Sequence, residues 1–396
     1  MMKILYICYS CSPYNGTEDK LGWNIPFEAS KTNDVWIITK PDGKNDIDNF
    51  LSINQADINV IYVDIPSYWK KVFNGAFYSG RQNIWNRVVQ KKVQQIVDDQ
   101  AIEIIHQVNP VEFRSIGNYG VYGIPFVCGP VGGGEYMPAS LLYFASNGLD
   151  KELIRWIANL YYKTKYKISG RLDNITALLF ANEETRSFLV NDENYRVTTE
   201  LGVTCDEFKT NVQKIQDKVV LISAGRLIYR KGINFLLAAI SAIPDNYNFE
   251  LIVLGDGPER KRLEKQIASN INLSKRVHLL GKVPHTQIGK YYENSSFFVM
   301  PSLRETTGSV ILESLARGVP VITVRAYGAK NLLNNTNSVM YSVGNNPVFD
   351  LKNALIYAIE HVNDFNRNRI QEQAKRFLFE EKVKEYLKIY KEILGE

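Results

Sequence analysis

The chain has 396 residues, which exceeds the size at which a single hydrophobic core stops growing and therefore predicts two domains. Hydrophobic residues make up 45% of the chain and charged residues 22%, a balance that excludes disordered, collagenous and coiled-coil proteins. The formal net charge of +5 is too small over this length to indicate a protein that binds nucleic acid.

Short runs of β-branched and apolar residues alternate with amphipathic stretches along the chain, which is typical of parallel sheets with crossover helices. Six predicted strands lie in the first half, at residues 3–8, 35–40, 58–63, 103–108, 124–129 and 176–181. Five more lie in the second half, at residues 218–225, 249–255, 276–280, 296–301 and 319–324. We therefore predict an α/β protein with two successive doubly wound parallel sheets.

A polar stretch without hydrophobic periodicity separates the two sets of strands. We predict that this stretch, residues 201–217, links a first domain at 1–200 to a second domain at 218–379. Residues 380–396 carry apolar side chains at spacings of three and four and are predicted to form a final helix.

The cysteine count and the length of the apolar runs indicate the cellular compartment. Four cysteines are too few for a disulfide scaffold, and Cys8 and Cys11 form a C-x-x-C pair without the second pair that a zinc site needs. No apolar run approaches the roughly 20 residues of a membrane-spanning helix. We therefore expect a cytoplasmic protein.

Two cations follow the first predicted strand of the second domain. Arg226 and Lys231 lie five residues apart in the sequence GRLIYRKG. They suit a diphosphate, because arginine can bind two oxygens with its planar fork while lysine supplies a mobile point charge. The alternative is a solvated pair of loop charges.

The segment 301–322 carries two carboxylates eight residues apart, Glu305 and Glu313. Four residues between them, Thr306, Thr307, Gly308 and Ser309, are predicted to offer unpaired backbone amides at a helix N-terminus, where anions bind. Carboxylates placed there can hydrogen-bond the hydroxyls of a sugar or a ribose. The alternative is a helix-start glutamate followed by an exposed helical one.

Glycine-containing loops follow two strands of the first domain. Gly16 lies in a long polar loop at 11–24, and three consecutive glycines occupy 132–134. Because glycine weakens helices and strands, these positions indicate either a tight backbone path or a close ligand. The D-x-D sequence at 46–48 precedes no predicted strand end and is assigned to a solvated loop.

These strand-end residues resemble the motifs of retaining glycosyltransferase family 4, the group 1 glycosyltransferases, whose GT-B fold has two Rossmann-like domains facing a cleft. Glu305 and Glu313 match the family's E-x7-E motif. Arg226 and Lys231 match its diphosphate-binding pair, and the sequence at 255–258 matches its G-D-G-P turn. The resemblance covers nearly the full length of the chain.

The resemblance implies that the donor nucleotide and sugar bind mainly to the second domain, with the Gly16 loop closing over the diphosphate from the first. Arg226 and Lys231 would hold phosphate oxygens. Glu305 would orient the donor sugar, and Glu313 would contact ribose. The amides of Thr306, Thr307, Gly308 and Ser309 would support sugar and phosphate, and the final helix would cross back to the first domain.

The resemblance also implies retention by same-face substitution, with neither a metal nor another cofactor and with a UDP-sugar favoured as co-substrate. His106, the histidine of the first half, is assigned to contact the sugar; the alternatives are a satisfied strand-end histidine or Val108 in that role. The family commonly has Gly-Phe-Gly after the first glutamate, whereas this chain has Thr306, Thr307 and Gly308. The donor sugar therefore stays open.

Two stretches of the first half combine basic and aromatic residues. The first basic–aromatic cluster, residues 68–92, holds six cations beside Tyr68, Trp69, Phe73, Phe77, Tyr78 and Trp85. The second, residues 151–171, holds Lys151, Arg155, Lys163, Lys165, Lys167 and Arg171 beside Trp156, Tyr161, Tyr162 and Tyr166. Such mixtures suit an anionic bilayer surface, and the alternative is two ordinary amphipathic helices with buried aromatic residues.

We therefore expect a nucleotide-sugar-dependent hexosyltransferase that acts on a lipid-linked acceptor in surface polysaccharide or glycolipid synthesis, at the inner face of the cell membrane. One alternative is a transferase with a soluble small-molecule or protein acceptor. Another is a catalytically silent partner subunit. This alternative is disfavoured because a silent subunit could lose Arg226, Lys231, Glu305 or Glu313, whereas all four are present.

Overall fold

In a computed structural model the chain forms two compact units, each with its own six-stranded parallel sheet. The structure describes residues 1–54, 56–73, 78–208 and 218–396, and only the backbone of His285 and Thr286. Unit 1 comprises Met1–Glu135, Lys151–Gly202 and Phe379–Glu396, and unit 2 comprises Tyr136–Asp150 and Val203–Leu378. The prediction of an α/β protein with two doubly wound parallel sheets is confirmed.

The sheet of unit 1 has the strand order β3-β2-β1-β4-β5-β6. Its strands are β1 (Lys3–Cys8), β2 (Asp34–Thr39), β3 (Asn59–Tyr62), β4 (Ile104–Asn109), β5 (Phe126–Val131) and β6 (Ala177–Phe180). Its helices are α1 (Thr17–Ser30), α2 (Lys44–Asn54), α3 (Ser67–Val72), α4 (Tyr78–Gln100), α5 (Leu149–Ser169), α6 (Glu183–Leu189) and α15 (Phe379–Leu394).

The sheet of unit 2 has the strand order β12-β11-β10-β7-β8-β9. Its strands are β7 (Val219–Ala224), β8 (Phe249–Leu254), β9 (Val277–Gly281), β10 (Phe297–Met300), β11 (Val321–Val324) and β12 (Ser338–Tyr341). Its helices are α7 (Ile233–Ser241), α8 (Arg260–Ala268), α9 (Ile271–Arg276), α10 (His285–Glu293), α11 (Ser309–Leu315), α12 (Ala329–Leu332), α13 (Pro347–Glu360) and α14 (Arg367–Ala374).

Helix α15 packs in unit 1, although nearly the whole of unit 2 precedes it in sequence. Its apolar side chains at spacings of three and four, Val383, Tyr386 and Tyr390, are buried in one core cluster with Ile4 and Leu21. Burying such a stripe removes a large apolar area from water, at roughly 25 cal/mol per Å². The C-terminal segment is therefore an integral part of the first core.

One internal segment differs from the predicted domains. Residues 136–150 were assigned by the sequence to the first domain, but they cluster with unit 2. The ring of Phe144 packs 5.0 Å from that of Phe235, and the Asn234 amide donates to the Phe144 carbonyl at 2.9 Å. Local periodicity cannot tell which of two cores a segment joins. Most of the predicted linker, 209–217, lies outside the described residues.

Candidate functional site

The site in unit 2 begins with its sheet topology. The chain runs outward from β7 to β8 on one side and from β10 to β11 on the other, so the loops leaving β7 and β10 diverge at neighbouring strand ends. Ligands of open parallel sheets bind at such a switch point, because no crossover covers it. The loop after β7 carries Arg226 and Lys231, and the loop after β10 carries Glu305.

Arg226 and Lys231 line one cavity together with Ser302 from the β10 loop. Lys231 ends a 3-10 turn, Tyr229–Lys231, and Gly232 follows with a φ of +68°. A Cβ at this glycine would lie 2.1 Å from the carbonyl oxygen of Pro301, which no side chain permits. Gly232 therefore allows the two loops to touch and brings both cations beside the residues that follow β10.

Glu305 is almost completely buried between cations. Its carboxylate forms an ion pair with Lys231, lies 3.4 Å from a guanidinium nitrogen of Arg230, and accepts from the Ser302 hydroxyl at 3.5 Å. Burial raises the pKa of Glu305, but the charges of Lys231, Arg230 and Arg304 outweigh it and hold the pKa below its ordinary value. The carboxylate is therefore ionised at neutral pH.

Arg230 is a site residue that sequence reasoning missed. It directly precedes Lys231 in a run of two cations, and that run was the available signal. In an irregular loop the order of residues does not show which side chains face a ligand. Here the 3-10 turn sets the direction of each side chain. The turn directs both Arg230 and Lys231 to Glu305.

The residues between the two glutamates lie beside this carboxylate. A Cβ at Gly308 would come 3.5 Å from Cγ of Glu305, and Thr307 is buried. Helix α11 begins at Ser309 and has only seven residues, so Glu313 occupies its second turn. The carbonyl of Glu313 accepts from the Arg317 guanidinium at 3.0 Å.

The turn at 255–258 supports the cation loop. The Leu227 amide donates to the Asp256 carbonyl at 2.9 Å, and the Glu259 amide donates to the Leu227 carbonyl at 3.1 Å. A neighbouring cavity of about 280 Å³ is lined by Arg226, Asp256 and Lys282 together with the apolar side chains of Leu254, Val283 and Ile288. Arg226 thus borders both cavities.

Gly16 is exposed at the N-cap position of α1, with a φ of −47° that any residue adopts. The nearest atom to a Cβ placed there would be a carboxylate oxygen of Asp19 at 3.8 Å. Neither backbone strain nor crowding requires glycine here. Gly16 belongs to unit 1, whereas the other predicted donor residues belong to unit 2.

The catalytic assignment of His106 does not fit its environment. The ring is fully buried in the middle of β4, where Nε2 donates to the Gly129 carbonyl at 2.7 Å and Nδ1 accepts from the Tyr390 hydroxyl at 2.5 Å. Both nitrogens are thus occupied by the core of unit 1. Val108, the alternative in the sequence, is buried as well. His106 is a structural residue that ties β4 to helix α15.

Burial lowers the pKa of His106 to about 4, although its hydrogen bond to Gly129 favours the protonated ring. A folded-state pKa below the unfolded value of about 6.5 means that the contribution to stability is complete above pH 6.5 and is lost as pH falls toward 4. We expect chemical denaturation to show that the stability difference between wild type and His106→Gln shrinks by about 3 kcal/mol between pH 7 and pH 4. A difference independent of pH would contradict this account.

Packing explains two of the three consecutive glycines after β5, Gly133 and Gly134. Gly133 has a φ of +96°, and a Cβ at Gly134 would lie 2.7 Å from Cα of Thr185. The fully buried carboxylate of Glu135 accepts from the Gly133 amide at 2.9 Å and lies 3.1 Å from the Arg155 guanidinium. Gly133 and Gly134 therefore follow a tight backbone path, which is one of the two alternatives left by the sequence.

The D-x-D sequence at 46–48 lies in helix α2 rather than in a solvated loop. Asp46 accepts from the Ser12 hydroxyl and the Asn15 amide, each at 2.8 Å, and Asp48 accepts from the Tyr62 hydroxyl at 3.0 Å. Asp46 therefore fixes the loop that contains Gly16. Across residues 1–54, 56–73, 78–208 and 218–396, no group of three or more His, Cys, Asp or Glu is arranged to hold a metal ion.

Comparison with known proteins places the second unit in a family. Residues 206–377 match the family model described as glycosyl transferases group 1. A relative named alpha-monoglucosyldiacylglycerol synthase, from Streptococcus pneumoniae, is 28% identical over 228 residues, which are 53% of this chain and 50% of that protein. The chain thus spans about half the length of the curated relatives it matches.

Solved structures match over nearly the whole chain. A glycosyltransferase from Rickettsia africae has a TM-score of 0.67 at 17% identity and covers 99% of this chain and 98% of its own. The HepE protein of Anabaena, solved in complex with UDP-glucose, has a TM-score of 0.59 at 18% identity and covers 98% and 100%. At these identities the likeness concerns the fold, which is the predicted GT-B fold.

Proposed function

Because residues 206–377 match the family model of the group 1 glycosyltransferases, we propose that this chain is a retaining family 4 enzyme that transfers a hexose from a nucleoside-diphosphate sugar to an acceptor hydroxyl. The observation that carries this proposal is the pairing of Arg226 and Lys231 on one cavity, next to the ionised carboxylate of Glu305. Fixed cations at a strand end suit a leaving diphosphate, and a carboxylate beside them suits sugar hydroxyls.

In the proposed donor complex, the diphosphate lies against Arg226 and Lys231. The neighbouring cavity of about 280 Å³ has apolar walls and borders Arg226, which suits a nucleobase attached to that diphosphate. We favour a UDP-sugar because the HepE protein of Anabaena, which shares the fold, was solved with UDP-glucose. Glu313 is proposed to contact the ribose.

Transfer is proposed to occur by same-face substitution. The bond between the sugar C1 and the phosphate oxygen breaks while a bond from C1 to the acceptor oxygen forms, and the acceptor proton passes to the departing phosphate. Arg226 and Lys231 stabilise the charge that develops on the leaving group, and Glu305 holds the sugar in position. The backbone of Thr306, Thr307, Gly308 and Ser309 is proposed to support it, and Gly16 stays a predicted donor-binding residue.

We propose that the side-chain cations supply the charge that a divalent ion supplies in other transferases. Arg226 and Lys231 line the cavity, and Arg230 lies beside Glu305. Activity is therefore expected to persist in EDTA. An absolute requirement for a divalent metal would contradict this part of the proposal.

The acceptor is proposed to be lipid-linked, and helix α5 supports this. Seven apolar side chains of its first four turns are between 38% and 59% exposed: Leu149, Leu153, Ile154, Trp156, Ile157, Leu160 and Tyr161. The opposite face is fixed to unit 1, because Asn159 donates to the Gly133 carbonyl and Tyr166 to that of Phe113. An exposed apolar helix face with tryptophan and tyrosine suits the interface of a bilayer.

Fewer basic residues are available to a membrane surface than the sequence predicts. In the second basic–aromatic cluster, Lys163, Arg155 and Arg171 donate to the backbone carbonyls of Phe188, Gly133 and Ile116. In the first, Trp85 is buried, while Phe77 lies outside the described residues. We therefore assign membrane attachment mainly to the apolar face of α5, with Lys165 and Lys167 assisting at an anionic surface.

Among the residues that the structure describes, no helix has both the length and the apolar character needed to cross a bilayer. The proposed attachment rests on the exposed apolar face of α5. A soluble small-molecule or protein acceptor is the second candidate.

Replacing Trp156, Ile157 and Leu160 together by serine is expected to lower binding to anionic vesicles at least tenfold, since each apolar side chain contributes about 1 kcal/mol or more when buried. Vesicle sedimentation measures it. The matched control replaces three exposed apolar residues of unit 2, Ile271, Leu280 and Phe349, and should bind as wild type does. Equal binding by all three proteins, or wild type remaining in the supernatant, would remove the support for a lipid surface.

The proposed function is tested by incubating the protein with UDP-, GDP-, ADP- and TDP-sugars and an extract of bacterial membrane lipids. We expect one donor to yield a lipid-linked sugar with the anomeric configuration of that donor, measured by mass spectrometry and NMR. Product only on a soluble acceptor would favour the second candidate. Absence of product with every donor and acceptor would favour a silent partner subunit.

A further inference from the structure

The ion pair between Lys231 and Glu305 affects how a phosphate can bind to Lys231. Lys231 is needed at two places, because it lines the cavity shared with Arg226 and it also forms an ion pair with the Glu305 carboxylate. A phosphate entering that cavity competes with Glu305 for the same ammonium group. The Glu305 carboxylate thus holds the ammonium group that a phosphate in this cavity would need.

Glu305 does not depend on Lys231 alone. Arg230 lies 3.4 Å from its other carboxylate oxygen, and the charge of Arg304 acts on it as well. The side chain of Glu305 is only 12% exposed, so these neighbours act through a medium that screens them weakly. When Lys231 turns to a phosphate, the carboxylate keeps counter-charges and stays ionised.

We infer that Glu305 is an internal competitor of the diphosphate, and that diphosphate binding frees its carboxylate for the donor sugar. This inference rests on the proposed function, since it takes a nucleoside diphosphate as the ligand of Arg226 and Lys231. The two parts of the donor are then coupled: the diphosphate removes Lys231 from Glu305, and the freed oxygens accept hydrogen bonds from sugar hydroxyls. By linkage, each part strengthens the binding of the other.

The coupling predicts that one substitution increases the affinity of the protein for free nucleotide. Glu305→Gln keeps the shape of the side chain and removes the competing charge, so it is expected to bind free UDP or GDP about three- to tenfold more tightly than wild type. The same variant should bind the complete nucleotide sugar with less or no gain, because the contact to the sugar is weakened. Calorimetric titration measures both affinities.

Three comparisons separate this competition from a general effect of charge. Glu264→Gln removes an exposed carboxylate of the same unit, paired with Arg260, and should leave the affinity for the nucleotide unchanged. In a Lys231→Ala background, Glu305→Gln should improve affinity less than twofold, because there is no ammonium group left to release. Glu305→Asp, which keeps the charge but shortens its reach toward Lys231, should give an affinity between those of wild type and Glu305→Gln.

The inference is overturned if Glu305→Gln, with a melting temperature near that of wild type, binds free nucleotide equally or more weakly. It is also overturned if the gain is the same with and without Lys231, since the effect would then be unspecific. A wild-type protein that binds none of UDP, GDP, ADP and TDP would overturn the proposed function and this inference together. Wild-type binding without the gain would overturn the inference alone.

Discussion

Glu305→Gln is expected to lower turnover at least tenfold while the fold stays intact. The amide occupies the same space as the carboxylate, but it loses the charge that Lys231, Arg230 and Arg304 keep in place. A contact to the sugar acts where the glycosidic bond breaks, so its loss raises the barrier of the chemical step rather than only weakening binding. Release of nucleoside diphosphate, measured at saturating donor, gives the turnover number.

The control for this experiment is Glu264→Gln, which changes the net charge of unit 2 by the same amount at an exposed position. It should retain wild-type turnover. Wild-type turnover in Glu305→Gln, or a loss fully explained by a lower melting temperature, would remove Glu305 from the reacting centre.

Lys231→Ala is expected to weaken the binding of nucleoside diphosphate by about 1.5 to 3 kcal/mol, as for a charge-assisted contact to phosphate. Calorimetry with UDP and GDP measures the loss. Lys261→Ala, an exposed lysine of α8, is the matched control and should bind as wild type does. An unchanged affinity in Lys231→Ala would exclude Lys231, and with it the shared cavity, from the diphosphate site.

The sheets could be predicted because most of their inner strands are buried on both faces and appear as short apolar runs. The eleven predicted strands correspond to β1–β11, with ends that differ by at most two residues. Strand β12 was missed because its apolar run, residues 339–341, has only three residues. Such a strand lacks the longer apolar run of a buried parallel strand.

The site could be predicted in part because parallel strands place their following loops at one edge of the sheet. This rule identified Arg226, Lys231 and Glu305 as candidates, and the structure brings Lys231 into contact with Glu305. The rule does not give side-chain direction in irregular loops, and for that reason Arg230 was missed. The roles of these residues in binding and transfer stay predictions.

Nonlocal contacts explain the remaining differences. The burial of His106 depends on Tyr390, which lies 284 residues away in sequence, so no local pattern could reveal it. For helix α5, the sequence showed a cluster of aromatic and basic residues but not which face of the helix is buried. Polar anchors decide this: Arg155 and Asn159 bind the Gly133 carbonyl, so that Trp156 and Ile157 face outward.

The most direct test of the central claim, that unit 2 binds a nucleotide sugar through Arg226 and Lys231, is a thermal-shift panel of UDP-, GDP-, ADP- and TDP-sugars on wild type and Lys231→Ala. A ligand at 100 times its dissociation constant stabilises the folded protein by about 2.7 kcal/mol, which shifts the melting temperature by a few degrees. We predict that one nucleotide shifts the wild type and that Lys231→Ala loses most of this shift. No shift of wild type by any donor, or an equal shift in both proteins, would contradict the account.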